Sequence, residues 1–359
     1  MVLSTFIIAE AGVNHNGSLD LAKALIDAAS QAGADAVKFQ SFKADLLVTR
    51  SAGKAVYQTK TTSECESQYD MLSRLELDEA AHHELHAYSA RRGIQFLSTP
   101  FDLESAIFLA VSLDLPRLKL SSGDLTNAPL LLACAQTGKP LILSTGMSCL
   151  TEIEAALGVL AFGYLASHSS PSREAFAVAY ASDEGQRLLR DKVVLLHCTT
   201  EYPAPIDEVN LRAMDTLRHA FGLPVGYSDH TEGIAIPVAA AARGASIVEK
   251  HFTLDRTLPG PDHKASLEPS ELTEMVKAIR QVDRALGNGL KVPSASERKN
   301  MEVARKSLVA AVDMAKGGIF SEENLTVKRP GNGLAPIHYW DYLGKPANRD
   351  YRRDEAIDP

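Results

Sequence analysis

Eight short apolar runs within the first 255 residues each stop at a polar or ionisable residue, and an amphipathic helical stretch follows almost every one. The runs are FIIAE (6–10), AVKFQ (36–40), QFLST (95–99), RLKLS (117–121), LILST (141–145), VVLLH (193–197), VGYSD (225–229) and IVEKH (247–251). They are nearly continuously apolar, as strands covered on both faces by crossover helices must be. This layout predicts a (β/α)8 barrel. Barrel enzymes place their chemistry at the carboxyl ends of the strands. Here that rim carries Glu10, Lys38, Gln40, Lys119, Ser122, Asp124, Ser144, His197, Ser228, His230, Lys250 and His251.

Helix signals punctuate the runs. Ser18 suits an N-cap and Gly33 a stop for residues 18–33, and Gly93, Gly138 and Gly244 repeat the stop before later strands. Two segments break the rhythm: a long excursion at 44–75, of the kind that forms active-site loops or lids, and a second at 160–192, expected as a loop plus one extra helix. The barrel is expected to span residues 1–287, a polar linker 288–302, and a small, mostly β module 303–359.

Composition excludes several classes. A net charge of −8 gives no footprint for nucleic acid, so an anionic ligand has to be held by local positive groups. The apolar stretches fall short of the ~20 residues a membrane span needs. Four separated cysteines without a CxxC pair fit reduced thiols, and FIIA follows no basic segment, so a cytoplasmic enzyme is the expectation.

His230 and His251 leave the ends of strands seven and eight, which a barrel makes neighbours. Two imidazoles with open positions suit a divalent transition metal acting on a carbonyl; the alternative is that they only hydrogen-bond to backbone. Lys38 and Lys119 sit inside apolar strands, where each ammonium requires an anionic ligand or a carboxylate. Ser122, Ser144 and Ser228 are ordinary loop starters singly; with the two lysines they form a candidate anion site. Glu10 and Asp262 are placed to accept from sugar hydroxyls or to join a rim salt bridge.

The strings IIAEAGVNHNGS, AVKFQSFKAD, LKLSSGD, LILSTGMS, LLHCTTEYPAP, GYSDHT, EKHFTLD, GPDHKASLEP and KRPGNGLAP resemble, in order, bacterial N-acetylneuraminate (sialic acid) synthases and their legionaminic acid synthase relatives. The resemblance runs from about Thr5 to Arg353. It implies a TIM barrel followed by an antifreeze-like (SAF) domain, and condensation of phosphoenolpyruvate with an N-acylated mannosamine. N-acetylmannosamine is the first expectation, and 2,4-diacetamido-2,4,6-trideoxymannose, leading to N,N'-diacetyllegionaminate, the alternative. By the resemblance, phosphoenolpyruvate contacts fall on Lys38, Lys119, Ser122, Ser144 and Ser228, and metal ligands on His230 and His251. Sugar contacts fall on Glu10, Gln40, Tyr202 and Asp262, and an arginine of the SAF domain on Arg329. The implied cofactor is a divalent ion, Mn²⁺ first with Mg²⁺ or Co²⁺ as alternatives. The implied assembly is a homodimer whose SAF domains cover the partner barrels. Asp124 stands where many members carry Glu, and with Glu10 it is the candidate for proton transfer. Two other classes stay open: a Schiff-base aldolase using Lys119 or Lys250, and a binding protein without turnover.

Overall fold

The computed structural model describes residues 4–54, 59, 66–166 and 169–358. Its chain divides into two compact units, Met1–Asn288 and Gly289–Pro359. The first is the barrel. Its strands are β1 (Phe6–Gly12), β2 (Ala36–Ser41), β3 (Gln95–Pro100), β4 (Leu118–Leu120), β5 (Leu141–Ser144), β6 (Val193–His197), β7 (Val225–Asp229) and β8 (Ile247–His251). All ladders are parallel, in the order β3-β2-β1-β8-β7-β6-β5-β4, and β3 and β4 lie side by side to complete the ring. The eight apolar runs therefore become eight strands, with ends shifted by two residues at most.

Local signals explain the helices between them. Ser18 Oγ accepts from the Leu21 N–H to start helix Leu19–Ala32, and Gly33, at φ 80°, ends it in the left-handed region that a side chain would disfavour. The last barrel helix, Pro269–Leu286, ties back to the first strand. Thr5 donates from its backbone N–H and from Oγ1 to the buried Asp283, at 3.1 and 2.7 Å.

Successive side chains of a strand point to opposite faces, so every second residue enters the barrel. Ile8, Ala36, Leu97, Ile142, Leu196 and Ile247 fill its lower interior. Gly226 completes that level because no side chain fits: a Cβ there would lie 2.4 Å from the Ile247 carbonyl oxygen and 2.6 Å from Leu196 Cδ2. Gly226→Ala is therefore expected to cost about 1–3 kcal/mol through overpacking, read as a lower denaturation midpoint of the barrel.

Two sequence expectations need correction. The segment 160–192 holds two further helices, Arg173–Ala181 and Asp183–Lys192, beyond the helix that ends at Tyr164. Ser172 and Ser182 cap them, and those serines had read as loop. Residues 288–302, expected as a polar linker, include the start of a helix: Ser294 and Glu297 form a reciprocal capping box that begins Ala295–Ala304. In the excursion 44–75, short helices form at Ala44–Leu47 and Gln68–Ser73; its remaining centre, with Cys65, lies outside the described residues.

The second unit pairs β9 (Ser307–Ala310) with β10 (Leu325–Lys328) in antiparallel fashion. Leu308, Phe320, Leu325, Tyr351 and Ile357 belong to its own small core. Among the described residues no helix is long and apolar enough to cross a membrane.

Candidate active site

One level above the apolar interior, the same inward register changes chemistry. Two residues beyond the seven positions of that level stand Glu10, Lys38, Thr99, Ser144, Cys198, Ser228 and Glu249; Lys119 of β4 joins them, and all eight line one cavity of about 450 Å³. Two residues further on, Gln40, Phe101, Ser121, Thr200, His230 and His251 line its next tier. Parity also explains which rim residues stay out. Lys250 turns outward, where its ammonium lies 2.5 Å from Asp229 Oδ2 and donates to the Thr231 carbonyl. His197 likewise turns away and donates from Nε2 to the Val209 carbonyl, at 2.7 Å.

The charged tier is closely coupled. Lys38 Nζ lies 2.7 Å from Glu10 Oε2 and 3.7 Å from Glu249 Oε2, and Lys119 Nζ lies 3.4 Å from Glu249 Oε1. These side chains are at least nine-tenths buried. Lys38 also donates to Thr99 Oγ1, and Ser228 Oγ donates to Glu249, at 2.9 and 3.0 Å. Burial works against ionising either carboxyl, but the outcomes differ. For Glu249 the ammonium groups of Lys119 and Lys38 outweigh burial and hold the carboxyl down at about 2. For Glu10, burial together with the nearby Glu249 charge exceeds the pull of Lys38 and pushes it up to about 7. Two lysines thus face one firmly ionised carboxylate and one that titrates near neutrality. With Glu10 pushed towards its neutral form, the floor leans positive. Hydroxyls await a partner beside it, since Ser144 Oγ and Thr200 Oγ1 are buried and make no hydrogen bond.

Glu249 was missed in the sequence, although parity with Ile247 and His251 was the signal that could have found it. Thr99, Cys198 and Thr200 were missed for the same reason. Of the expected residues, Glu10, Lys38, Gln40, Lys119, Ser122, Ser144, Tyr202, Ser228, His230, His251 and Asp262 do line the cavity. Ser122 Oγ accepts from the Gly146 N–H at 3.0 Å and contacts Cys198 Sγ at 3.0 Å. Asp124, expected to transfer a proton, is placed otherwise: its carboxylate accepts from Ser121 Oγ at 2.6 Å and Asn127 Nδ2 at 3.2 Å. It thereby fixes the turn that presents Ser122, and it does not line the cavity. Arg329 belongs to the second unit, one residue beyond β10, and is exposed.

The chain matches the NeuB family over residues 25–291 and the SAF domain over residues 305–359. It is 53% identical over 353 residues to the N,N'-diacetyllegionaminic acid synthase of Campylobacter jejuni, covering 98% of both chains. The chain belongs to the NeuB family. To the N,N'-diacetyllegionaminic acid synthase of Legionella pneumophila it is 46% identical, over 95% of this chain and 90% of that one. Among solved structures, the N-acetylneuraminic acid synthetase of Leptospira borgpetersenii, in complex with citrate, superposes with a TM-score of 0.67 at 34% identity, covering 84% of this chain and 91% of that one. This NeuB family member is accordingly an enzyme of the nonulosonic acid synthase class, a transferase with a TIM barrel and a SAF domain.

His230 and His251 fit a divalent ion. Their ring centroids are 5.6 Å apart, and Tyr202 lies against His230 at 4.1 Å. His230 donates from Nδ1 to the Thr199 carbonyl at 2.6 Å, which fixes the tautomer and leaves a lone pair on Nε2. His251 Nδ1 is buried without a hydrogen bond, 3.9 Å from Asp262 Oδ2. Burial lowers His230 to about 4 and, with His230 beside it, takes His251 well below its usual range, which favours the neutral ring that a metal ligand needs. Among the described residues no group of three or more His, Cys, Asp or Glu is placed to hold a metal ion, so the candidate donors are the two imidazoles.

Proposed function

We propose that this NeuB family enzyme condenses phosphoenolpyruvate with 2,4-diacetamido-2,4,6-trideoxymannose, giving N,N'-diacetyllegionaminate and phosphate. The observation that carries the chemistry is the buried positive floor: Lys38 and Lys119 against a single firmly ionised carboxylate, Glu249, beside unpartnered hydroxyls. Such a floor suits an anion, and phosphoenolpyruvate offers a carboxylate and a phosphate to it. The choice of acceptor follows the relatives. Identity is 53% and 46% to legionaminic acid synthases and 34% to a sialic acid synthetase, which favours the trideoxy sugar over N-acetylmannosamine, the first expectation.

In this reading Lys38 and Lys119 hold the carboxylate and phosphate of phosphoenolpyruvate, with Ser122, Ser144 and Ser228 as additional donors. Carbon 3 attacks the sugar aldehyde, a C–C bond forms, and carbon 2 becomes electron-deficient. Water adds at carbon 2. The resulting hemiketal phosphate collapses, breaking the bond from carbon 2 to the bridging oxygen, which departs with phosphate. Glu10, titrating near neutrality, gives its proton to the new alkoxide and recovers one from the added water. A divalent ion on His230 and His251 would supply electrophilic polarisation of the aldehyde. Tyr202, Gln40 and Asp262 orient the sugar, and Arg329 of a homodimer partner would complete the site in trans. A Schiff-base aldolase has less support: Lys250 is engaged outside the cavity and Lys119 is held by Glu249.

Bond cleavage gives the test. Phosphoenolpyruvate labelled with ¹⁸O at the bridge is expected to deliver the label to inorganic phosphate. Label retained in the nonulosonate would mean P–O cleavage and overturn the reading. Side-by-side kcat/KM values for the two sugars test the acceptor.

A further inference from the structure

The cavity has a second wall of different chemistry. Leu47, Val48, Leu72 and Phe101 line it opposite in character to the lysine floor, and each is only half-buried. Val13, Phe42, Met71 and Leu75 form a buried apolar cluster against which Leu47, Leu72 and Phe101 pack, so the wall is held by packed side chains. Apolar surface left in contact with water inside a polar cavity gains free energy when a ligand's apolar group covers it. Gln68, on the same short helix as Leu72, adds an amide whose donor and acceptor match an acetamido group.

The two acceptors differ in what they would present. N-acetylmannosamine carries hydroxyls at carbons 4 and 6, whereas the trideoxy sugar carries an acetamido group at carbon 4 and a methyl at carbon 6. A hydroxyl pressed on Leu47 or Leu72 would lose its water without gaining a partner. A methyl would not. We infer that Leu47, Val48, Leu72 and Phe101 form the specificity wall that selects a 6-deoxy, N-acetylated acceptor over its hydroxylated counterpart. The inference rests on the synthase reading above and names the part of the cavity that decides between its sugars. An apolar pocket discriminates against an added hydroxyl by about 10- to 100-fold, which sets the scale of the effect.

The experiment measures kcat/KM for both sugars, at saturating phosphoenolpyruvate, in the full-length enzyme and its Leu47→Asn and Leu72→Asn variants. Wild type is expected to favour the trideoxy sugar by about tenfold or more, and each variant to compress that ratio by about tenfold. The loss should fall mainly on KM for the trideoxy sugar, with KM for phosphoenolpyruvate unchanged, because the lysines of the anion floor hang from β2 and β4 and Leu47 and Leu72 from the short helices of the excursion. Val48→Thr, nearly isosteric, gives a smaller compression of the same sign and decides the matter if an Asn variant unfolds. A wild-type preference for the trideoxy sugar that survives intact in folded variants overturns the wall and leaves the synthase reading standing. A wild type without that preference overturns the acceptor assignment and the wall together.

Discussion

Lys119→Met is expected to lower kcat/KM by roughly 10²- to 10⁴-fold, the equivalent of the about 3–5 kcal/mol lost when one partner of a buried ion pair is removed. In the native floor, Glu249 lies 3.4 Å from Lys119 and 3.7 Å from Lys38, and burial alone would favour its neutral form. With Lys119 gone, one ammonium faces Glu249 and Glu10 together, the excess positive charge disappears, and a trianionic substrate meets a site without net attraction. Both KM for phosphoenolpyruvate and kcat should suffer, since the lysine also offsets charge while the C–O bond breaks. Adding Glu249→Gln to the Lys119→Met chain should recover folding stability, because the unpaired buried carboxylate is removed, yet leave phosphoenolpyruvate affinity low. Thermal unfolding and substrate titration read the two effects separately. A Lys119→Met enzyme within threefold of wild type would remove the anion floor from the mechanism.

Chelation should be comparably severe. Treatment with a chelator is expected to abolish turnover and Mn²⁺ to restore it, with an effect of about 10³-fold for the several kcal/mol that a metal contributes at a developing alkoxide. His230→Ala and His251→Ala should each weaken Mn²⁺ binding in equilibrium dialysis as well as stop turnover, because two imidazoles leave little redundancy. If the chelated, metal-free protein kept full activity, the metal assignment would be wrong.

Much of this architecture was legible because strands buried on both faces leave an unmistakable pattern, and because a barrel assigns chemistry to one end of them. The eight runs, the paired histidines and the two intrastrand lysines all follow from that rule. What escaped depended on the direction of side chains. Glu249 directly precedes two rim residues already singled out, Lys250 and His251, and only the alternation along β8 separates it, facing the lysines, from Lys250, facing Asp229. Asp124 is a candidate for proton transfer only because it stands where many members of the resembled family carry Glu, and its short side chain closes a hydrogen-bonded turn with Ser121 and Asn127. The order of the two acceptors could not be read from the motifs, since those motifs sit on strand ends whereas Leu47, Val48 and Leu72 sit on the excursion after β2. Polar stretches misled twice, at 160–192 and 288–302, where serine caps start helices that composition alone conceals.

The strand-borne tier and the excursion-borne wall have different mechanical ties. Glu10, Lys38 and Glu249 hang from adjacent ladders, β2-β1-β8, in which moving one residue drags the register of its neighbours. Leu47 and Leu72 hang from short helices of four and six residues outside the sheet. A lineage built on this plan can therefore exchange one sugar for another by editing a peripheral segment while its electrostatic machinery is inherited unaltered. For protein engineering, the same separation makes the excursion after β2 the place to randomise when a new nonulosonate is sought.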